Sequence, residues 1–426
     1  MKYDVIIVGG GIVGASLGLA LGQQGMQVAM IERRQERTPP PSKRLGLRVS
    51  ALTLASMRIL ASLQVRLPRD RIGPIRGMRV WENAKPIRFD SASIGEPALG
   101  YVIDNESVQR ALDDGLERLS QSVEIIRGQA PESLALDKDR ASLRLTQGER
   151  LRARLVVGAD GADSSLRLLA GIGHRSGSYH QRAVVTGVRS ELPHRRIAWQ
   201  RFLPTGPLAF LPLADERASS IVWSTSPDHA ESLCNLDDES LGERLAEAFD
   251  RILGAVRISG ERASFPLHHL DAHSLIGERI ALVGDAARVV HPLAGQGVNL
   301  GLLDAATLAE TLIRARKKMQ DLGNTAVLRR YERRRRGHNL VMRATLDGFH
   351  HLFTHPAAPV RAVREAGLFL AERLPPFKAC TMRLASGLVG DLPAAARKRS
   401  PGGSNASEPA QKDKNDIGNE RTGDVI

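Results

Sequence analysis

The chain has 426 residues, 42% of them hydrophobic, which is more than one hydrophobic core organises and implies at least two domains. Sixty Lys and Arg against 47 Asp and Glu leave a formal net charge of +13, suited to anionic partners such as nucleotides, phosphate groups or acidic lipid surfaces. The two cysteines, Cys234 and Cys380, stand far apart outside any CxxC pair, which indicates neither a disulfide framework nor a thiolate metal site and fits a reducing, cytoplasmic setting.

The N-terminal run YDVIIVGGGIVGASLGLALG is apolar, yet Asp4 and a glycine cluster interrupt it and no basic leader or cleavage pattern accompanies it. It reads instead as a buried parallel strand over residues 3–8 and a helix over Ile12–Gln24, followed by a second strand over Gln27–Glu32. That is a βαβ opening. Thr38–Lys43 (TPPPSK) is a loop, because consecutive prolines remove ladder donors. Helices are predicted over Val49–Leu63 and Asn105–Leu119, the second with Asn105 as its cap, and a short buried strand over Leu155–Ala159, ending at Asp160-Gly161.

Between about residues 182 and 274 the pattern changes to strand-like pieces (RAVVTGV, RIAWQRFL, LAFLPL, SSIVWS), with one helix near 238–253. Arg279–Val283 (RIALV) returns to the buried-strand type, so the first domain is discontinuous in sequence. After Gln296 the chain reads as helical, with LRRYERRRRGHNLVMRATLDGFHHLF the longest segment. Beyond about Ala394 it turns polar and rich in Gly, Ser and Asn, and disorder is expected. No run of 18 apolar residues occurs, so a membrane-spanning helix is not expected.

Three motifs carry chemistry. Gly9-x-Gly11-x-x-Gly14 follows a strand and opens a helix through Ile12 and Val13. Gly9 permits the tight turn, Gly11 lets backbone amides approach a pyrophosphate, and Gly14 allows close packing of helix on strand. Glu32, at the end of the second strand, can bond both ribose hydroxyls of a dinucleotide and repels a 2′-phosphate, which points to FAD or NAD and not NADP as the tightly held nucleotide. Arg33 beside it is either an adenosine contact or a solvated arginine. The second motif, GADGADSSLR (Gly158–Arg167), ends a strand in Asp160-Gly161 and offers Asp163 and Ser164 as helix caps, so a well-capped βα junction also explains it. The third, GDAARVVHPLAGQGVNLG (Gly284–Gly301), supplies Asp285 for a polyol hydroxyl and a glycine-rich entry into a helix, whose positive end suits the anion formed when a flavin is reduced. Taken together, the motifs describe one extended FAD: adenosine at Glu32, pyrophosphate at Gly11, ribityl chain at Asp285, and the ring beside Gly295, Gly297, Val298 and Asn299.

These residues resemble the flavoprotein aromatic hydroxylases of the para-hydroxybenzoate hydroxylase fold, and within them the FAD-dependent ubiquinone-biosynthesis hydroxylases, over the chain to about Pro393. Further matching segments are LRVSALTLAS (47–56), GYVIDN (100–105), FLPTGPLAFLPLAD (202–215), SIVWSTSP (220–227), LRRYERRRR (328–336) and the closing GLVGDLP. The resemblance implies that Arg48 and Gln109 contact the FAD pyrophosphate region, Asp160 supports the cofactor and the transient NAD(P)H site, and Val298 and Asn299 offer amides to the flavin pyrimidine. Relatives commonly carry His where Arg288 stands. The implied reaction is reduction of FAD by NAD(P)H, addition of O2 to form a flavin C4a-hydroperoxide, and transfer of OH to a polyprenylated phenol. SIVWSTSP and LRRYER lean toward the C5 ring hydroxylation, the first, with C1 or C6 as alternatives.

The expected fold class is therefore α/β: a discontinuous Rossmann-like FAD-binding domain (1–181 and 275–325), a mostly antiparallel β-sheet substrate domain (182–274), a C-terminal helical region (326–393) and a disordered tail (394–426). His291 is either a catalytic base for the phenol or a loop histidine that orders the backbone. His268, His269 and His273 read as surface or packing residues, with no metal site. RRYERRRR, with Leu340, Leu346, Phe349 and Phe353 after it, reads either as a peripheral membrane contact at the inner face or as a basic face packed on the FAD domain. Other ubiquinone-biosynthesis proteins and a second copy of the chain are expected partners, and nucleic acid is not, since aromatics make up only 4%. Two rival readings share the motifs: a flavin-dependent isoprenoid reductase and a non-catalytic FAD-bearing subunit.

Overall fold

The computed structural model describes residues 2–39, 48–82, 86–290, 296–337 and 375–398. Its first domain is built on a six-stranded sheet in the order Ile276–Gly277, Ile280–Leu282, Leu155–Gly158, Val5–Val8, Val28–Glu32, Val123–Arg127. All neighbours are parallel except the first pair, with Val5 opposite both Val28 and Leu155 and Val156 opposite Ile280. Val5–Val8, Val28–Glu32 and Leu155–Gly158 are buried throughout. That is why they read as unbroken apolar runs: both faces of a parallel sheet are covered. Helix Ile12–Gly22 packs between helices Asn105–Glu117 and Gln296–Lys317. Segments far apart in sequence thus share one core, which also takes in Val327, Leu328 and Tyr331 from the helical stretch 325–337.

The second domain is an eight-stranded sheet in the order Arg288–Val289, Val256–Ala272, His174–Ser190, Ala218–Thr225, Gly206–Pro212, Ile197–Leu203, Gly77–Trp81, Ile87–Asp90. Only Ile197–Leu203 and Gly77–Trp81 run parallel. Its core contains Trp81, Phe210, Trp223, Leu241, Leu245 and Phe249, with the Phe249 ring 4.2 Å from Phe210 and 5.1 Å from Trp81. The sheet draws two strands from within residues 1–181 and one from 275–325. The chain therefore crosses between domains more often than a division at 182 and 274 describes.

Local differences from the sequence reading have simple causes. Val49–Leu63 is not one helix: Val49–Thr53 is a strand paired with Gly100–Asp104, and the helix Leu54–Ser62 starts where Thr53 Oγ1 accepts the Ser56 N–H. The pairing partner, some fifty residues away, overrides the helical pattern. Asp104, one residue earlier than expected, caps Asn105–Glu117 by accepting from Ser107 N–H. The helix predicted near 238–253 is preceded by another, Pro227–Asn235, and ends at Ala248. The start signal of Pro227–Asn235 is present in the sequence, because Ser226 caps that helix and Pro227 occupies its first turn. At the C-terminus, Ala394–Ala396 forms a short 3-10 turn within the stretch expected to be disordered; residues from 399 lie outside the described residues.

Candidate active site

The first glycine motif forms the tight turn its spacing predicts. Gly9 has φ +103°, and a Cβ there would lie 2.3 Å from the Ala159 carbonyl oxygen; one on Gly14 would lie 1.9 Å from the Gly9 oxygen. Neither position accepts a side chain. Gly11 differs, since a Cβ on it would meet nothing within 4 Å. The open space above its backbone is the room a pyrophosphate needs.

Glu32 reaches this turn from the next strand. Its Oε2 accepts the Gly10 N–H at 2.9 Å and its Oε1 accepts from Arg34 N–H and Nε at 3.0 and 3.3 Å. Arg33 is exposed beside it. Gln109, 6% exposed, donates from Nε2 to the Gly10 carbonyl at 2.8 Å and to Asp113 Oδ1 at 2.9 Å. Gln109 is thus fastened to the glycine turn itself.

The second motif is tied to the first at Gly9 against Ala159, and its own turn is closed by Asp160. That carboxylate accepts from Ser164 Oγ at 2.5 Å, Ser165 Oγ at 2.9 Å and Leu166 N–H at 3.2 Å, while Ser164 caps the short helix Ser165–Leu169. Arg167, 6% exposed, donates to the Ala162 carbonyl at 2.8 Å and, across to the third motif, to the Ala286 carbonyl at 3.0 Å. Val283 N–H adds a bond to the Gly158 carbonyl at 2.9 Å. The third motif closes the triangle, because Val13 packs against Gly284 and Gly301 so closely that a Cβ on Gly301 would lie 2.5 Å from the valine.

At the centre of that third turn stands Asp285, on the 3-10 segment Gly284–Ala286. Its carboxylate Oδ1 lies near Gly297, 3.8 Å from where a Cβ would be, in the first turn of helix Gln296–Lys317. Asp285 is open to solvent, yet desolvation by the protein around it pushes its carboxyl up, with the like charge of Asp304 adding to the rise and Arg288, His268 and Arg48 pulling against it. Arg48 is exposed over the Phe265 ring of the antiparallel sheet at 4.4 Å, and its charge reaches Asp285.

Val298 is half-buried. Asn299 is 1% exposed, and its side chain is bonded into the framework: Oδ1 accepts from Thr53 N–H at 2.9 Å and Ser56 Oγ at 2.7 Å, and Nδ2 donates to the Ala51 carbonyl at 2.9 Å. Gly295 and His291 lie outside the described residues.

Beneath the cleft lies a charged group that the sequence reading missed. Asp304 is fully buried; its Oδ2 accepts from Arg288 Nη2 at 2.8 Å and Gly284 N–H at 3.2 Å, and its Oδ1 from Arg335 Nε at 2.6 Å. Burial pushes this carboxyl up, and the charges and hydrogen bonds of Arg288 and Arg335 overcome it, leaving Asp304 below the usual carboxylate range. Tyr331 Oη donates to the Leu282 carbonyl at 2.7 Å. The available signal was a lone acid inside the apolar run GLLDAATLA.

The basic run is also partly internal. Arg335 is fully buried, Arg334 pairs with Glu310 and Asp391, and Arg336 donates to the His273 carbonyl. The apolar positions proposed to follow it lie outside the described residues. His269 stacks edge-on with Tyr179 at 5.3 Å. Among the described residues no cluster of three His, Cys, Asp or Glu could hold a metal, and no helix is long and apolar enough to cross a membrane.

The FAD-binding domain family matches residues 2–344. The chain is 37% identical over 390 residues to a 3-demethoxyubiquinol 3-hydroxylase of Escherichia coli, covering 90% of this chain and 98% of that protein. It is 39% identical over 391 residues to the ubiquinone hydroxylase UbiL of Rhodospirillum rubrum, covering 91% and 90%. The crystal structure of a p-nitrophenol 4-monooxygenase from Pseudomonas putida shares the fold, with a TM-score of 0.73 at 23% identity over 91% of this chain and 98% of that one. A dinucleotide turn, an Asp-Gly turn and a Gly-Asp turn meeting below an antiparallel sheet define a flavoprotein aromatic monooxygenase. FAD is its cofactor, and the open backbone at Gly11 and the carboxylates of Glu32 and Asp285 fit that group. The chain belongs to the family of FAD-dependent ubiquinone-biosynthesis hydroxylases.

Proposed function

We propose that this enzyme hydroxylates the ring of a polyprenylated phenol on the way to ubiquinone, with NAD(P)H and O2 as co-substrates. The observation that carries the reading is the match to the Escherichia coli hydroxylase over 98% of that protein's length. Bound FAD supplies electron transfer from the nicotinamide and the activation of oxygen. The residues of the chain bind, orient and shield. The Gly9–Gly14 turn receives the pyrophosphate, Glu32 the adenosine ribose, and Asp285 the ribityl hydroxyls. Backbone amides of Gly297, Val298 and Asn299, at the positive end of their helix, would hold the flavin ring on its side that takes up negative charge. In this reading the aromatic substrate approaches from the side of the antiparallel sheet, where Arg48 lies over the Phe265 ring.

Within this reading the ring position is C5, on the segments SIVWSTSP and LRRYER. The name of the Escherichia coli relative favours a second reading, hydroxylation of a demethoxyubiquinol-type ring. A net charge of +13 and a lipophilic substrate support peripheral contact with an anionic membrane. The deciding experiment deletes the gene and identifies the accumulated quinone precursor by mass spectrometry. A precursor lacking the C5 hydroxyl supports the first reading, and an accumulated demethoxyubiquinol the second. Unchanged quinone in a strain with no redundant hydroxylase would overturn both.

A further inference from the structure

Arg288 is 6% exposed, three residues after Asp285 and directly behind the turn that presents it. Its backbone belongs to the edge of the substrate sheet, opposite Asp271, while its guanidinium turns inward to Asp304 on the long helix of the FAD domain. One residue therefore joins both domains to the Gly284–Ala286 turn. Asp304 gives Arg288 a single oxygen, since the other accepts from Arg335. The same Oδ2 also fixes Gly284 N–H, so guanidinium and loop backbone share one buried acceptor.

We propose that Arg288 is the positioning residue for Asp285: anchored on Asp304, it holds the Gly284–Ala286 turn against the start of helix Gln296–Lys317 and keeps the Asp285 carboxylate charged for the FAD ribityl chain. Its guanidinium is the largest favourable charge that Asp285 meets. His268 from the substrate sheet and Arg48 add to it, and Asp304 opposes it. Asp304 carries two arginines on one carboxylate, so the attraction of Arg288 for a second anion is only partly spent. A neutral imidazole at this position would hold the loop without supplying that charge. The inference concerns cofactor binding and stands whichever ring position is hydroxylated.

The test measures FAD affinity of the apoprotein against pH by flavin fluorescence quenching, for wild type, R288Q and R288K. Arg288→Gln removes the charge. FAD binding is expected to weaken about tenfold at neutral pH, and the acid limb of the binding curve to move up by about one pH unit, the equivalent of one charge interaction. Arg288→Lys keeps the charge with poorer geometry and is expected to stay within about threefold of wild type, with its acid limb unmoved. Circular dichroism of each apoprotein checks the fold. Uniform weakening by R288Q with an unshifted pH profile, or a loss in R288K as deep as in R288Q, would overturn the proposal, because Arg288 would then act by packing alone.

Discussion

The Gln109 side chain donates its amide to the Gly10 carbonyl at 2.8 Å, so helix Asn105–Glu117 holds the glycine turn from behind. The other bond of that amide, to Asp113 one helical turn on, fixes its orientation. Replacing Gln109 with Leu keeps the volume but leaves the Gly10 carbonyl and Asp113 without this donor, at about 1 to 3 kcal/mol. The expected outcome is a folded protein whose FAD dissociates about tenfold more readily, read by titrating the apoprotein with FAD. Unchanged affinity would show that the turn holds itself.

Two glycines of one motif should respond oppositely to the same methyl group. At Gly14 a Cβ would lie 1.9 Å from the Gly9 oxygen, so G14A must displace backbone and should prevent stable folding or cost several degrees of thermal stability. Gly11 has φ −64° and ψ 178°, an extended conformation any residue adopts, and open space above it. Gly11→Ala should leave the apoprotein as stable as wild type, or more so by about 0.4 to 1 kcal/mol through loss of unfolded-chain entropy. It should still weaken FAD binding at least about tenfold, because the methyl occupies the pyrophosphate approach. Thermal scans of the two apoproteins with FAD titrations decide it. Equal behaviour of the two variants would contradict the assignment.

Much of this architecture was legible, for identifiable reasons. Val5–Val8, Val28–Glu32 and Leu155–Gly158 are buried on both faces, so sequence composition alone reveals them. Gly9, Gly14 and Gly284 are fixed by close backbone approach or positive φ, and glycine is the residue such positions retain. What escaped reading depends on partners distant in the chain. Val49–Thr53 needs Gly100–Asp104 to become a strand, and Gly77–Trp81 is joined to its sheet by Ile197–Leu203, over a hundred residues later. Arg335 is one of four consecutive arginines and the one that is fully buried, because only its position meets Asp304. Nothing in the string RRRR distinguishes it. Gln109, Asp160 and Asn299, which resemblance singles out as cofactor contacts, have side chains bonded into the framework around the glycine turns, which resemblance alone does not reveal.

Asp285 is a carboxylate held at a cost to the apoprotein. Its carboxyl is raised above the usual 3.8, with desolvation the largest cause. A group raised on folding contributes stability that is complete below its unfolded pKa and is lost as pH rises through the folded one, so at neutral pH the charged form works against the fold. Asp285→Asn removes that charge. Apo-D285N should therefore melt at or above the wild-type temperature at neutral pH, with the difference fading as pH falls toward 4, while its affinity for FAD drops. A lower melting temperature at neutral pH, with fold retained, would mean that the attraction of Arg288 outweighs desolvation.

Asn299 offers the sharpest separation between framework and cofactor. Its side chain bridges the strand Val49–Thr53 and the start of helix Leu54–Ser62, accepting from Thr53 N–H and Ser56 Oγ and donating to the Ala51 carbonyl. Asn299→Asp preserves both acceptors and converts the donor into an anion facing a carbonyl in a site 1% exposed. Asn299→Ala leaves the groups unpaired. Each buried polar group left without a partner costs about 1 to 3 kcal/mol, so N299A should lose about 3 kcal/mol of stability and N299D at least as much. The loss in N299D should shrink on acidification, as protonation restores a donor. Denaturant unfolding of the apoproteins at two pH values reads this directly. If both variants unfolded like wild type yet failed to bind FAD, the side chain would be a cofactor ligand and the bridge to Ala51 and Thr53 immaterial to the fold.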